Sequence, residues 1–101
     1  MTTDLPMHDA LAVVTLPAEV DLVTSASVRD DLLSTVNRGV VHLVVDASAT
    51  TFLDSSGVNA LVRVRERTER LGGSIHVVTR SRQVLRVFSI TKLDRVLAVV
   101  P

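Results

Sequence analysis

The sequence predicts an α/β domain: a mainly parallel sheet of four to five strands with three to four helices packed on it. Three observations point there. Short runs rich in Val, Ile and Leu alternate with stretches whose apolar residues recur at helical spacing. The helical stretches are long enough to carry the chain back along a sheet, so successive strands lie parallel with right-handed crossovers. Glycines and small polar residues stand at the boundaries, where caps and turns need them. The order reads β(β)αβαβαβ, and 101 residues suit one domain.

A short edge strand fits around residues 5–10, confined to an edge or a strand start by Pro6. Leu11-Ala12-Val13-Val14-Thr15-Leu16 reads as a buried strand with little alternation, stopped by Pro17. Ala18-Glu19-Val20-Asp21 reads as a loop with two exposed carboxylates. Thr24 and Ser25 are candidate caps for a first helix over about residues 25–38, with Val28, Leu32, Leu33 and Val36 as its apolar face. Gly39 sits where a C-terminal glycine belongs. Val40-Val41-His42-Leu43-Val44-Val45-Asp46 is the most apolar run and takes the sheet centre, buried on both faces.

A small-residue loop, Ala47-Ser48-Ala49-Thr50-Thr51, leads to Phe52 and Leu53, both expected to anchor it by burial. The second helix covers about residues 56–71. Leu61, Val64, Thr68 and Leu71 form its inner stripe, widened by Val58 and Val62. Glu66 and Arg70 make an i,i+4 pair, and Leu71-Gly72-Gly73 ends the helix. Ser74-Ile75-His76-Val77-Val78 is a strand. Ser81 caps a short helix carrying Val84, Leu85, Val87 and Phe88 to about residue 89. Thr91-Lys92-Leu93-Asp94-Arg95 connects it to a last strand, Val96-Leu97-Ala98-Val99-Val100.

Composition excludes several functions. Acidic and basic residues number 11 each, so no basic field draws nucleic acid by counterion release. Two Phe with no Tyr or Trp leave no stacking platform for bases. The absence of Cys removes disulfides, thiolate metal sites and a cysteine nucleophile. No apolar run nears the ~20 residues of a bilayer span, and Met1-Thr2-Thr3-Asp4-Leu5-Pro6 lacks the pattern of a signal peptide. A soluble cytoplasmic protein is expected. His8, His42 and His76 fall in different elements without metal spacing, and His42 is expected to be a satisfied or edge-facing side chain. No nucleophile elbow or glycine-rich phosphate loop is present. Neither an enzyme nor a cofactor is expected.

The informative stretch is Thr51-Phe52-Leu53-Asp54-Ser55-Ser56-Gly57-Val58-Asn59-Ala60-Leu61. Asp54 or Ser55 closes a loop and opens a helix, because their oxygens accept from the free amides of a first turn. The simplest reading is a helix cap. The functional reading is a switch: a hydroxyl there that receives phosphate gains about −1.5 to −2 charges, which changes what can dock.

Ala18-Glu19-Val20-Asp21, the strand over residues 41–46, Thr51-Phe52-Leu53-Asp54-Ser55-Ser56-Gly57, Leu71-Gly72-Gly73 and Leu93-Asp94-Arg95-Val96 together resemble a bacterial anti-sigma factor antagonist with a STAS domain. The resemblance covers about residues 7–99, and Phe52-Leu53-Asp54-Ser55-Ser56-Gly57 is its most specific part. It implies a binding module. In that family the unphosphorylated antagonist binds an anti-sigma factor, itself a serine kinase, and frees a sigma factor. The kinase phosphorylates the first Ser of the motif and releases the antagonist; a serine phosphatase resets the cycle. Carried onto this chain, the resemblance implies Ser55 as phosphoacceptor, with Ser56 the lesser candidate. It implies a docking face of Glu19, Asp21, Asp54, Ser55, Ser56, Gly57, Val58 and Asn59, on a monomer or weak dimer without direct contact to nucleic acid or membrane. Ala18, Asn59 and Lys92 depart from the family: it usually has Gly before Glu19, commonly Gly or another small residue where Asn59 stands, and often Thr-Gly-Leu where this chain has Thr91-Lys92-Leu93. The alternative is a STAS scaffold or regulatory module of a stress-signalling or lipid-transport complex, without phosphorylation.

Overall fold

The computed structural model describes residues 10–95 and 97–100. The edge strand expected around residues 5–10 lies almost wholly outside the described residues, as does Val96 in the last expected strand. The elements are β1 (Leu11–Thr15), β2 (Glu19–Val20), α1 (Ser25–Asn37), β3 (His42–Asp46), β4 (Phe52–Leu53), α2 (Ser55–Arg70), β5 (Ser74–Val78), α3 (Arg82–Ile90) and β6 (Ala98–Val100). A 3-10 turn over Leu93–Arg95 precedes β6. The main sheet has the order β1-β3-β5-β6, and each pairing is parallel. β2 and β4 form a second, two-stranded parallel sheet. The expected α/β architecture therefore holds, with four strands in the main sheet among the described residues.

Register decides where the core sits. Val14, Val45, Val77 and Val99 lie in one row across the sheet, and Ala12, Leu43 and Ile75 in another. These rows face Leu32 and Val36 of α1, Leu61 and Val64 of α2, and Val84 and Phe88 of α3 in a single cluster. Burying each large member removes apolar surface worth about 1.5–3 kcal/mol. The alternate row, Val13, Val44, His76 and Ala98, faces away from that cluster. β1 was expected to be a buried strand with little alternation and β3 to be buried on both faces; instead both alternate. Leu11 and Val13 on the sheet edge are each 63% exposed. The physical reason is that the described helices pack on one face only, so a continuous apolar run still presents every second side chain outward. His42 is half-buried, with Nδ1 3.0 Å from Ser74 Oγ on the neighbouring strand.

Helix ends follow local chemistry. Gly39 takes φ 100° after α1, and its N–H donates to the Val36 carbonyl at 2.9 Å. Leu61, Val64 and Thr68 form the fully buried stripe of α2, whereas Leu71 stands beyond the last helical turn and is exposed. The ion pair along α2 is Arg65–Glu69; among the described residues none joins Glu66 to Arg70. Arg67 Nε instead reaches Asn37 Oδ1 at 3.1 Å, tying α2 to the end of α1. Ser81 caps α3 through the Val84 amide at 3.3 Å.

Two positions yield tests. A Cβ on Gly73 would lie 2.0 Å from the Val41 carbonyl oxygen, so Gly73→Ala must push the start of β5 away from the chain leading into β3. It is expected to lower stability by about 1–3 kcal/mol, read as a lower denaturant midpoint at unchanged slope. Lys92 adopts a left-handed φ of 62°. That conformation costs a side-chain-bearing residue about 1–2 kcal/mol, against about 0.5–1 kcal/mol of extra chain entropy for glycine. Lys92→Gly is therefore expected to raise the thermal midpoint slightly.

Candidate functional site

The site lies past the carboxyl ends of β1 and β3. Their ladder continues beyond Pro17 as the small β2–β4 pair. Leu16 N donates to Asp46 O at 2.9 Å, Thr51 N to Ala18 O at 2.8 Å and Asp54 N to Val20 O at 3.2 Å. Thr50 Oγ1 adds a bond to Pro17 O at 2.8 Å. Glu19 pairs with Phe52 and Val20 with Leu53. Residues 19 and 20, expected in a loop, are thus a strand. Successive residues of a strand face opposite ways, so Val20 and Leu53 are buried while Glu19 and Phe52 point outward. Phe52, expected to be a buried anchor, is 40% exposed for this reason.

Asp54 is the helix cap. Its backbone is extended, and its carboxylate accepts from the Ser56 amide at 2.8 Å and the Gly57 amide at 3.2 Å. Ser55 is the first residue of α2 and is exposed; Ser56 is half-buried. Gly57 is buried because the first turn of α2 rests directly on the β2–β4 pair. A Cβ there would lie 2.7 Å from Leu53 Cδ1 and 2.9 Å from Val20 Cγ1. Val58 is buried beside it, and Asn59 is exposed. Of the expected docking residues, Glu19, Ser55 and Asn59 therefore offer exposed side chains, whereas Gly57 and Val58 face the interior and shape the turn from within.

Asp21 also has an internal task. Its Oδ1 accepts from the Val23 amide at 2.9 Å and the Thr24 amide at 3.1 Å. Thr24 Oγ1 donates to Glu19 O at 2.8 Å and accepts from the Asp21 amide at 3.0 Å. Thr24 occupies the cap position of α1, yet its hydroxyl is spent on these bonds and makes no cap bond to the helix. The resulting turn holds Leu22 and Val23 outward at 79% and 85% exposure. An open groove of about 560 Å³ runs beside it, lined by Val14, Leu16, Pro17, Val23, Val28 and Asp31 among others. On the β3–β4 connection, the Ser48 hydroxyl and amide donate to Asp46 Oδ1 at 2.6 and 3.0 Å, which holds that carboxyl below the usual aspartate range.

Sequence reasoning missed Leu22, Val23 and Gln83. The first two carried a signal, since they fall off the 28–32–36 stripe of α1 and had no other core to enter. Gln83 carried none. Its amide meets the outer edge of β4, accepting from Leu53 N at 3.1 Å and donating to Leu53 O at 3.3 Å. Among the described residues, no group of three His, Asp or Glu side chains is placed to hold a metal ion, and no helix is long and apolar enough to cross a membrane.

The Asp21 carboxyl is held below the usual aspartate value, first by the Thr24 amide and then by that of Val23. A depressed value in the folded state means stability that is present above the unfolded value, about 3.9, and lost as pH falls through the folded one. Asp21→Asn is therefore expected to lower stability at neutral pH and to cost less in strong acid. Its acid-unfolding curve, followed by circular dichroism, should be shallower than that of the parent.

The STAS-domain family profile matches residues 2–101. The anti-sigma-F factor antagonist RsfB of Mycobacterium tuberculosis is 30% identical over 97 residues, which cover 94% of this chain and 77% of RsfB. The crystal structure of an anti-sigma factor antagonist from Mycobacterium paratuberculosis superposes with a TM-score of 0.82 at 31% identity, covering 93% of this chain and 80% of that one. The antagonist SpoIIAA of Bacillus matches in fold. Its unphosphorylated form gives a TM-score of 0.78 at 21% identity (90% of this chain, 80% of that one), and its phosphorylated form 0.70 at 20% identity (90% and 83%). By profile, sequence and fold, the chain belongs to the STAS-domain family, among its anti-sigma factor antagonists.

Proposed function

We propose that the unphosphorylated chain binds an anti-sigma factor of the serine-kinase type, so that a sigma factor is released, and that phosphorylation of Ser55 ends the binding. The observation that carries this reading is an exposed hydroxyl on the first residue of α2, directly after the Asp54 cap. Among the described residues that side chain makes no hydrogen bond, so nothing in the fold consumes it. The relatives support the antagonist role. SpoIIAA, solved with and without phosphate, supports a phosphorylated state for that protein.

The docking surface in this reading uses the exposed apolar side chains Leu22, Val23 and Phe52 and the exposed polar side chains Glu19, Ser55 and Asn59. Exposed apolar side chains on a rigid turn lose little entropy on binding, which makes them effective anchors. In the complex, Ser55 Oγ attacks the γ-phosphorus of ATP held by the kinase. The new O–P bond forms as the bond to ADP breaks, and the hydroxyl proton passes to a base on the kinase. The product carries about −1.5 to −2 charges and three strongly hydrated oxygens where the partner had docked. The amino end of α2 tolerates that anion, so the fold persists while the surface is lost. A serine phosphatase restores the hydroxyl. The chain performs no catalysis of its own, works in the cytoplasm and does not touch nucleic acid.

The test is incubation with ATP and each anti-sigma kinase candidate of the same genome, with the phosphate mapped by intact and peptide mass spectrometry. One phosphate on Ser55 is expected. Ser55→Ala should then bind the kinase permanently, and Ser55→Asp at least about tenfold more weakly, a loss of about 1.4 kcal/mol. Tight binding by Ser55→Asp would count against the switch. Binding without any phosphate would favour a STAS scaffold in which Ser55 only opens a helix.

A further inference from the structure

We infer that Gln83 is a positioning residue for the phosphoacceptor: its side-chain amide replaces a strand on the outer edge of β4 and fixes the backbone that presents Ser55. The inference rests on the reading of Ser55 given above and adds a requirement at a distant helix.

The requirement follows from strand geometry. β4 has two residues and, among the described residues, one strand partner. The amides of Phe52 and Asp54 face β2, at 3.3 Å from Ala18 O and 3.2 Å from Val20 O. In a parallel ladder the residue between them points its N–H and C=O the other way. Leu53 is that residue, and its side chain is buried. A donor and an acceptor are thus left at an edge that no strand covers among the described residues, and leaving such groups unpaired away from water is costly.

Gln83 answers both. Its Oε1 accepts from Leu53 N at 3.1 Å, and its Nε2 donates to Leu53 O at 3.3 Å. A carboxamide offers a donor and an acceptor side by side in one plane; an ionised carboxylate offers acceptors alone, and an aliphatic chain neither. The amide is held in turn by α3, which is anchored by the Ser81 cap and by buried Val84 and Phe88. Leu53 is therefore clamped from both edges. The next residue is Asp54, whose carboxylate sets the first turn of α2, and the one after that is Ser55. A rotation of the Leu53 peptide carries the cap and the hydroxyl with it. Phosphoryl transfer is sensitive to such motion, since a misplacement of about 1 Å can cost 10²-fold in rate.

The test compares the parent chain with Gln83→Leu, which keeps the volume and loses both bonds, and Gln83→Glu, which keeps an acceptor for the Leu53 amide but sets a carboxylate against the Leu53 carbonyl. Three quantities are read: hydrogen exchange at the Leu53 amide, and kcat and KM for Ser55 phosphorylation with Mg-ATP by the kinase that the phosphate-mapping experiment selects. Gln83→Leu is expected to speed Leu53 exchange at least about tenfold and to lower kcat by about 10- to 100-fold, with KM within about twofold. Gln83→Glu should fall between it and the parent on both readouts. Should Gln83→Leu fail to fold, Gln83→Glu carries the comparison. A folded Gln83 variant with parental kcat overturns the positioning role while leaving Ser55 as phosphoacceptor. A change in KM alone overturns it too, by making Gln83 part of the docking surface. A parent chain that takes no phosphate on Ser55 overturns the Ser55 reading, and the role of Gln83 with it.

Discussion

The bond from the Asp54 amide to the Val20 carbonyl is the constraint on which the carboxyl end of this molecule depends. β1 and β3 are neighbours in the main sheet, and each runs on past its end into a short second strand. Because the ladder survives the interruption at Pro17, the two continuations stay side by side. Their pairing fixes Asp54 in an extended conformation at the start of α2, and that conformation turns its carboxylate onto the first free amides of the helix. The same pairing builds the floor on which Gly57 rests. One backbone bond thus joins two loops, a helix cap and a close packing contact.

Within the six residues Phe52 to Gly57 the inward and outward tasks are separated by spacing. Leu53 and Gly57 face the interior four residues apart, on a strand and then on a helix. Phe52 and Ser55 face solvent. A larger residue at 57 would lift α2 off the small sheet, and an uncapped residue at 54 would leave its first amides unpaired. The inward residues therefore hold the geometry, and the outward ones are released from structural duty. The turn over residues 21–24 repeats the arrangement: Asp21 and Thr24 consume their polar groups internally, and Leu22 and Val23 are left outside.

Most of this architecture was legible because it rests on local chemistry. Periodicity located the three helices, and glycines marked the ends of the first two. The Asp54-Ser55-Ser56-Gly57 run announced a cap, although spacing alone did not choose between Asp54 and Ser55. What stayed hidden depends on partners far along the chain. A pattern of β-branched residues cannot say that the described helices cover only one face of the sheet, so Leu11 and Val13 read as buried. Two-residue strands are too short to show alternation, so β2 read as a loop and Phe52 as an anchor. Thr24 resembles a cap in sequence, yet its hydroxyl is drawn away by the Glu19 carbonyl. Gln83 meets Leu53 across thirty residues of sequence, and nothing in a lone glutamine reports such a contact.

The parallel pairing of the strands has a kinetic consequence. Among the described residues no two strands form a hairpin, so no sheet contact can close locally. Each ladder waits for a helix to be formed or spanned, and topologies of this kind fold more slowly than those built from neighbouring contacts. The β2–β4 pair is two residues long and relies on the β1–β3 ladder to bring its halves together. A chain whose β1–β3 ladder has not formed therefore lacks the β2–β4 pair on which the first turn of α2 rests.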